Sequence, residues 1–247
     1  MPEPAAVRSD VTRALVVVAH PDDVDFGAAG TVASWTAAGI AVSYCLVTSG
    51  DAGGFDDTPR DQMAGLREEE QRAAAAELGV TDLTFLRYAD GEVTPSLALR
   101  RDISRVVRRV RPQRVLTQSP EYFWERLGVS HPDHRATGEA ALAAVYPDAR
   151  NPFAHPELLA DEGLEAWTVP ETWVAGCPPE RVNHAVDVGP TLAAKLAALR
   201  AHRSQTAHRD DLESLVSGLL ARNAARFADV IPAGAQYVEA FQVVDTS

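Results

Sequence analysis

The hydrophobic positions of the chain fall into short apolar runs separated by longer amphipathic stretches. Residues 15–19 (LVVVA) form a continuous apolar run rich in β-branched side chains. A run without polar alternation predicts a strand buried on both faces. Residues 27–38 (GAAGTVASWTAA) carry a helical pattern that ends at Gly39, where glycine can take the left-handed turn closing a helix. Residues 41–48 (AVSYCLVT) read as a second strand, closed by Ser49-Gly50. An Ala/Glu/Arg-rich helix over 61–78 ends at Gly79. A third strand is expected over 83–88, a helix over 96–111 stopped before Pro112, a fourth strand over 115–118 and a fourth helix over 135–146.

Repeated strand–helix units predict an α/β fold: a Rossmann-like, mostly parallel sheet with helices on both faces. Sites in such sheets gather at the carboxyl ends of the strands. The second half is less regular. Residues 147–165 hold Pro147, Pro152 and Pro156 among several acids and read as a long surface loop. Short strands are expected over 172–175 and 185–188, helices over 190–203 and 211–229, and a closing strand over 237–244. No repeat or linker divides the chain, so residues 13–247 are expected to form one domain behind a flexible N-terminus, residues 1–12.

Composition narrows the function. The 247 residues hold 23 Lys+Arg against 35 Asp+Glu, a net charge of −12. That field repels phosphate backbones and anionic lipid surfaces, which argues against nucleic-acid binding. No apolar run reaches the about 18 residues needed for a membrane span, and no apolar segment precedes the first strand as a signal peptide would, so a cytoplasmic protein is expected. Cys45 and Cys177 are too few for a disulfide framework, and neither sits in a CxxC; reduced, buried thiols are expected. Lys195 is the sole lysine, so Schiff-base chemistry would have one candidate. Assembly into a homo-oligomer is left open.

Two clusters carry candidate chemistry. The first strand ends in His20-Pro21-Asp22-Asp23. An imidazole and a carboxylate, His20 and Asp23, are half of a zinc or iron site, which leaves Asp22 as a proton acceptor. The simpler reading makes one aspartate a helix N-cap and His20 a loop histidine. The second cluster, Ser130-His131-Pro132-Asp133-His134, follows the fourth strand. His134 would supply a third ligand, His131 would sit at the rim, and Asp133 could orient a histidine through its free ring nitrogen. His20, Asp23 and His134 would leave coordination positions open, as in a catalytic zinc site. Non-haem iron oxygenases use the same ligand set, so Zn2+ and Fe2+ both fit. A non-catalytic sugar-binding module is the further rival, although such a pocket has little use for an unligated carboxylate.

AHPDDVDFGAAGT, TSGDAGG, LREEEQRAAAAELGV, SHPDHRATG and AHRSQ, in that order over residues 13–206, together resemble the PIG-L/LmbE-like deacetylases. That family comprises zinc-dependent enzymes that remove N-acetyl groups from amino sugars and sugar conjugates. The resemblance implies that His20, Asp23 and His134 bind zinc and that Asp22 is the general base for the metal-bound water. It implies that His131 stabilises the oxyanion, with Asp133 holding His131 in orientation. By the same resemblance Arg67 contacts the sugar and Asp90 binds its hydroxyls. A helix-surface ion pair of Arg67 with Glu70, and a turn role for Asp90-Gly91, are the plainer readings. The chain departs from the family at Asp25, where glutamate is more common. His202 and Gln205 in AHRSQ are expected near the pocket without assigned roles, and His155, His184 and His208 are expected to be structural or exposed. Residues 51–64 are expected to form a flap over the metal. Specificity is expected from residues 147–180 and the last third of the chain, with a small N-acylated amino sugar or conjugate as partner.

Overall fold

Five consecutive buried apolar side chains make the centre of the sheet. They lie in β1 (Arg13–Val18), which pairs in parallel with β2 (Ala41–Thr48) on one side and β4 (Arg114–Gln118) on the other. The computed structural model describes residues 4–55 and 57–247. β3 (Asp82–Tyr88) adds to β2 and β5 (Glu171–Ala175) adds to β4, both in parallel. β6 (His184–Asp187) and β7 (Val238–Asp245) close the sheet antiparallel, giving the order β3-β2-β1-β4-β5-β7-β6. The chain runs outward from β1 to β3, then returns across the sheet to β4. The crevice of such a fold opens where that direction reverses, at the carboxyl ends of β1 and β4.

Alternate side chains of β1 serve two cores. Ala14, Val16 and Val18 pack toward α2 (Ala29–Ala37), α3 (Arg60–Glu77) and residues of a later helix around Ala198. Leu15 and Val17 face α4 (Leu97–Val110) and α5 (Pro132–Ala143). Burial on both sides explains why this strand reads as unbroken hydrophobicity rather than as an alternation. The short α6 (Glu157–Ala160), then α7 (Leu192–Ala201), α8 (Arg203–Thr206) and α9 (Leu212–Arg226) complete the fold. The fold is thus the α/β, mostly parallel arrangement that the sequence predicts.

The helix expected over 27–38 begins earlier and is split. α1 (Asp23–Gly27) stops at Ala28, whose backbone lies outside the helical region, and α2 starts anew. A buried ion pair explains the break. Lys195 Nζ donates to the carbonyls of Asp25 and Phe26 at the end of α1 and to Glu239 Oε1, each at 2.8 Å. Glu239 in turn accepts from the amides of Gly30 (3.0 Å) and Thr31 (2.7 Å) at the start of α2. Both orphaned helix ends are satisfied by one pair of side chains. Lys195 is 1% exposed, so the one Schiff-base candidate is a structural residue here.

Of the segment expected to be a flexible N-terminus, residues 1–3 lie outside the described residues. Beyond them, the Ala5 amide donates to the Asn183 carbonyl, the Arg8 amide donates to Glu171, and Ala5 and Val7 pack on the core. The expected surface loop over 147–165 is pinned by buried Arg108, which donates to the carbonyls of Asp148, Ala149, Asn151 and Ala154. Cys45 and Cys177 are free and buried. Among the described residues no helix is long and apolar enough to cross a membrane.

α5 lies against the end of β4 because Gly138 carries no side chain. A Cβ there would sit 2.2 Å from the Gln118 carbonyl oxygen, a backbone atom that cannot step aside. We therefore expect Gly138→Ala to lower the unfolding free energy by about 1–3 kcal/mol through overpacking, read as a lower urea midpoint at unchanged slope.

Candidate metal centre and active site

The site is assembled from the two strand ends that flank the crevice. The Ala19 amide donates to Gln118 Oε1 at 2.9 Å, which ties the end of β1 to the end of β4. The chain then turns through His20 and Pro21, and Asp22 adopts φ 90°. A non-glycine residue in that region is strained by on the order of 1–3 kcal/mol and persists only when its surroundings hold it. Here Gln71 Oε1 accepts from the Asp22 amide (2.9 Å) and Arg67 Nη2 donates to Asp22 Oδ2 (3.2 Å). Asp22 occupies the N-cap position of α1, yet its side chain makes no capping bond. The plain N-cap reading of this aspartate is therefore excluded.

Three donor atoms converge beside it. His20 Nδ1 lies 3.3 Å from His134 Nε2 and 3.3 Å from Asp23 Oδ2, and His134 Nε2 lies 2.9 Å from Asp23 Oδ1. With metal–ligand bonds of about 2.1 Å, the ligands of a tetrahedral zinc sit about 3.4 Å apart. Two imidazoles and a carboxylate at this spacing fit a divalent ion of that kind. The far nitrogens are oriented as such a site requires. His134 Nδ1 lies 3.2 Å from the Val129 carbonyl, and His20 Nε2 lies 3.0 Å from Asp90 Oδ1 and 3.2 Å from Asp133 Oδ2. Two overlapping sets also have ligand spacing: His20, His131 and His134, and His20, Asp90 and Asp133. The second set is the more heavily committed: its two carboxylates accept three backbone amides between them, whereas Asp23 accepts one, from His20. Asp90 Oδ2 accepts from Ala52, and Asp133 accepts from Gly91 and Val93.

Electrostatics follow the crowding. Burial pulls the His20 imidazole toward neutrality, but the charge of Asp23 and the bonds to Asp133, Asp23 and Asp90 outweigh it and push the pKa up to about 12. Burial alone would raise Asp23; the charges of His134 and His20 instead hold it well below the usual carboxylate range. Asp22 goes the other way, raised to about 7 by burial and the neighbouring Asp23 charge, against the pull of Arg67. His131 is lowered by burial and by the charges of His20 and His134. Its Nδ1 accepts from the Asp133 amide at 3.2 Å. A neutral imidazole bonded in this way carries its proton on Nε2.

All eight residues singled out from the sequence meet here, but three are engaged differently from the expectation. The Asp133 carboxylate addresses His20 rather than His131; it is the Asp133 amide that orients His131. Arg67 is 4% exposed and bridges two loops, donating to the Gly50 and Pro21 carbonyls and to Asp22. Its guanidinium fills the space beside Gly50 (φ 69°), where a Cβ would lie 2.4 Å from Nη1. Glu70 is not its partner, being bonded to Ser204. Asp90 is buried, with both oxygens engaged by His20 and Ala52.

Other residues act from behind. His202 is fully buried and its Nε2 lies 2.7 Å from Asp25 Oδ2, which also accepts from Gln71 Nε2. The AHRSQ stretch thus braces α1 through Asp25. Gln205 Nε2 donates to Ser204 Oγ, and a Cβ on Gly53 would lie 3.8 Å from its Oε1. His155 contacts Asp148, His184 stacks edge-on to Trp173, and His208 stacks on Phe55, all away from the site. Of the expected flap, residues from Arg60 belong to α3, Ala52 and Asp51 are tied to Asp90, and Asp56 lies outside the described residues. The sequence reading missed Gln71 and Glu239 and singled out Lys195 for a different chemistry; no local signal marked the partners of any of the three.

A cavity of about 860 Å³ opens from Asp23 and His134. Its walls are mostly apolar, with Val24, Leu116, Val182, Leu220 and Phe227 among them. The lining comes from the strand ends, the turn Trp124–Ser130 and α9. Of residues 147–180, expected to shape specificity, Ala175, Gly176 and Cys177 line it, and the last third of the chain does so too.

Comparison with known proteins bears on this site. Diacetylchitobiose deacetylase of Thermococcus kodakarensis is 33% identical over 198 residues, spanning 80% of this chain and 71% of that protein. A 1D-myo-inositol 2-acetamido-2-deoxy-alpha-D-glucopyranoside deacetylase of Saccharopolyspora erythraea is 32% identical over 239 residues, spanning 78% of this chain and 77% of that one. The structure of N,N'-diacetylchitobiose deacetylase from Pyrococcus horikoshii superposes with a TM-score of 0.85 at 27% identity, covering 96% of this chain and 85% of the other. Residues 15–145 match the family described as PIG-L, GlcNAc-PI de-N-acetylase, and they contain every residue of the metal centre. The chain belongs to the PIG-L family of de-N-acetylases.

Proposed function

We propose that this protein is a zinc-dependent N-deacetylase acting on an N-acetylglucosamine unit, the part shared by the sugars named for its relatives. The observation that carries the reading is the convergence of His20 Nδ1, Asp23 and His134 Nε2 beside a carboxylate, Asp22, that is not one of the three donors. When bound, zinc supplies Lewis acidity and water with a pKa of about 7. Asp22, fixed by Arg67 and Gln71, takes the proton of the water that attacks the amide carbonyl carbon. The same carboxyl then returns that proton to the departing nitrogen, so that the C–N bond breaks to acetate and a primary amine. His131 donates its Nε2 proton in a hydrogen bond to the carbonyl oxygen as negative charge develops there. The wall formed by Arg67 and Asp90 holds this machinery in shape.

Release of primary amine from N,N'-diacetylchitobiose, with and without a chelator, tests the reading. Activity should vanish on chelation and return with zinc; a zinc-loaded protein that cleaves no N-acetylglucosaminide would overturn it. Asp22→Asn should lower kcat by about 10²–10⁴-fold while retaining zinc. Zinc lost together with activity would instead place Asp22 among the ligands. Two further variants separate the histidines' supports. Asp133→Asn should weaken zinc binding by about 10–100-fold through His20, in competition against a chromogenic chelator. His131→Ala should keep zinc and lower kcat by about 10²–10³-fold.

A further inference from the structure

The cavity that opens from Asp23 and His134 lies to one side of the reacting groups. Among the described residues its lining includes Asp23 and His134 but not Asp22, His131, Arg67 or Asp90. Asp22 is tied by Gln71 and Arg67 to α3, the helix that follows β2. The cavity is walled instead by the ends of β4 and β5, by β7 and by α9. β2 and β4 flank β1 on opposite sides. The free carboxylate and the cavity therefore stand on opposite sides of the candidate metal centre.

That placement assigns the two halves of the substrate amide. Asp22 returns a proton to the departing nitrogen, so the nitrogen and the sugar it carries lie on the Asp22 side. A secondary amide is planar and trans, so its acyl chain points away from the sugar. The chain therefore points into the cavity. An acetyl group has a single methyl to place there, whereas the space is about 860 Å³, within the range of a site for a whole small molecule. The character of the walls suits a hydrocarbon chain. Of the charged residues that line it, Glu125, Arg126, Arg222 and Arg226 are exposed, and buried Glu239 is paired with Lys195 at 2.8 Å. Buried Val24, Leu116, Val182, Leu220 and Phe227 form the apolar interior. Each methylene of a chain seated against them leaves water for an apolar surround, which is favourable.

We propose that this cavity is an acyl-chain subsite, so that amino sugars N-acylated with linear chains longer than acetyl, such as butanoyl and hexanoyl, are preferred substrates. The inference rests on the deacetylase reading in placing the scissile amide at the Asp23 and His134 end of the cavity. The bond that breaks is the same C–N bond. Water adds its oxygen to the acyl carbon, the nitrogen gains the proton held by Asp22, and the products are the longer carboxylate and the same primary amine. The probes are the methyl glycosides of N-acetyl-, N-butanoyl- and N-hexanoylglucosamine. Amine release by the zinc-loaded protein gives kcat/KM for each, and calorimetric titration of zinc-loaded Asp22→Asn protein gives binding apart from turnover. Each added methylene should improve both by about fourfold, the value of one buried CH₂. Leu219→Trp adds bulk at a half-buried position of the α9 wall, and Val182→Phe adds it from the segment before β6. Each should bring the hexanoyl-to-acetyl ratio down toward one. Acetyl bound and cleaved as well as hexanoyl, or a chain-length preference that both filled variants leave intact, would overturn the inference while the deacetylase reading stands. A chain-length preference in binding, with no cleavage of any probe by the wild-type protein, would leave the subsite standing and overturn the deacetylase reading instead.

Discussion

Four aspartates crowd around His20, and the structure is organised by how each negative charge is neutralised. Asp23 faces two imidazoles. Asp133 is held by His20 and two backbone amides, and Asp90 by His20 and one. Asp22 receives a single side-chain donor, Arg67, at 3.2 Å. Buried carboxylates with fewer donors keep their proton to higher pH. The least compensated member of the cluster is therefore the one whose affinity for a proton is raised, and the best compensated members are fixed as permanent anions. One arrangement thus yields fixed anions and one carboxylate of raised proton affinity from chemically identical side chains.

The cluster stays in place because a second polar layer sits behind it. Asp23 rides on α1, a helix of five residues that would not persist by itself. Its end is held by Lys195, and its middle by Asp25 bonded to His202 and Gln71. Lys195 and Glu239 bring α7 and the closing strand β7 to the same point. A buried pair of this kind adds little net stability, and removing one partner is strongly destabilising because the other charge is stranded. Its effect here is positional: the far half of the chain fixes the loop that carries the chemistry in the near half.

This division explains what could be read from the sequence. β1 was legible because burial on both faces leaves an unbroken apolar run, and His20 because it follows that strand directly; His134, which lies in α5 well past the end of β4, was legible from its own His-Pro-Asp-His cluster. The break at Ala28 was not legible, since it depends on Lys195 and Glu239, distant in sequence and unremarkable locally. The partners of Asp133 and Asp90 were hidden for a related reason. Spacing shows that a carboxylate is near a histidine, but only the fold shows which histidine and which ring nitrogen. His131 is two residues from Asp133, yet the carboxylate reaches His20 across the sheet. Arg67 was misread in the same way, because α3 turns it inward toward Gly50 and Pro21 rather than along its own surface toward Glu70.

The stretch that matches the family ends at residue 145 and contains every residue of the candidate metal centre. The cavity beside that centre is built differently. Much of its wall, from Ala175 through Val182 to Leu219, Arg222 and Phe227, lies beyond residue 145. The candidate site therefore lies in the first part of the chain alone, while the cavity's shape is shared between both parts, joined at the Lys195–Glu239 pair and at the turn between β4 and α5. Substitutions along α9 can alter what the cavity accepts without disturbing any group that handles a proton or a metal. A fold arranged in this way can hold one reaction constant while the molecule bearing the amide changes, and the relatives, named for different sugars, are consistent with that separation.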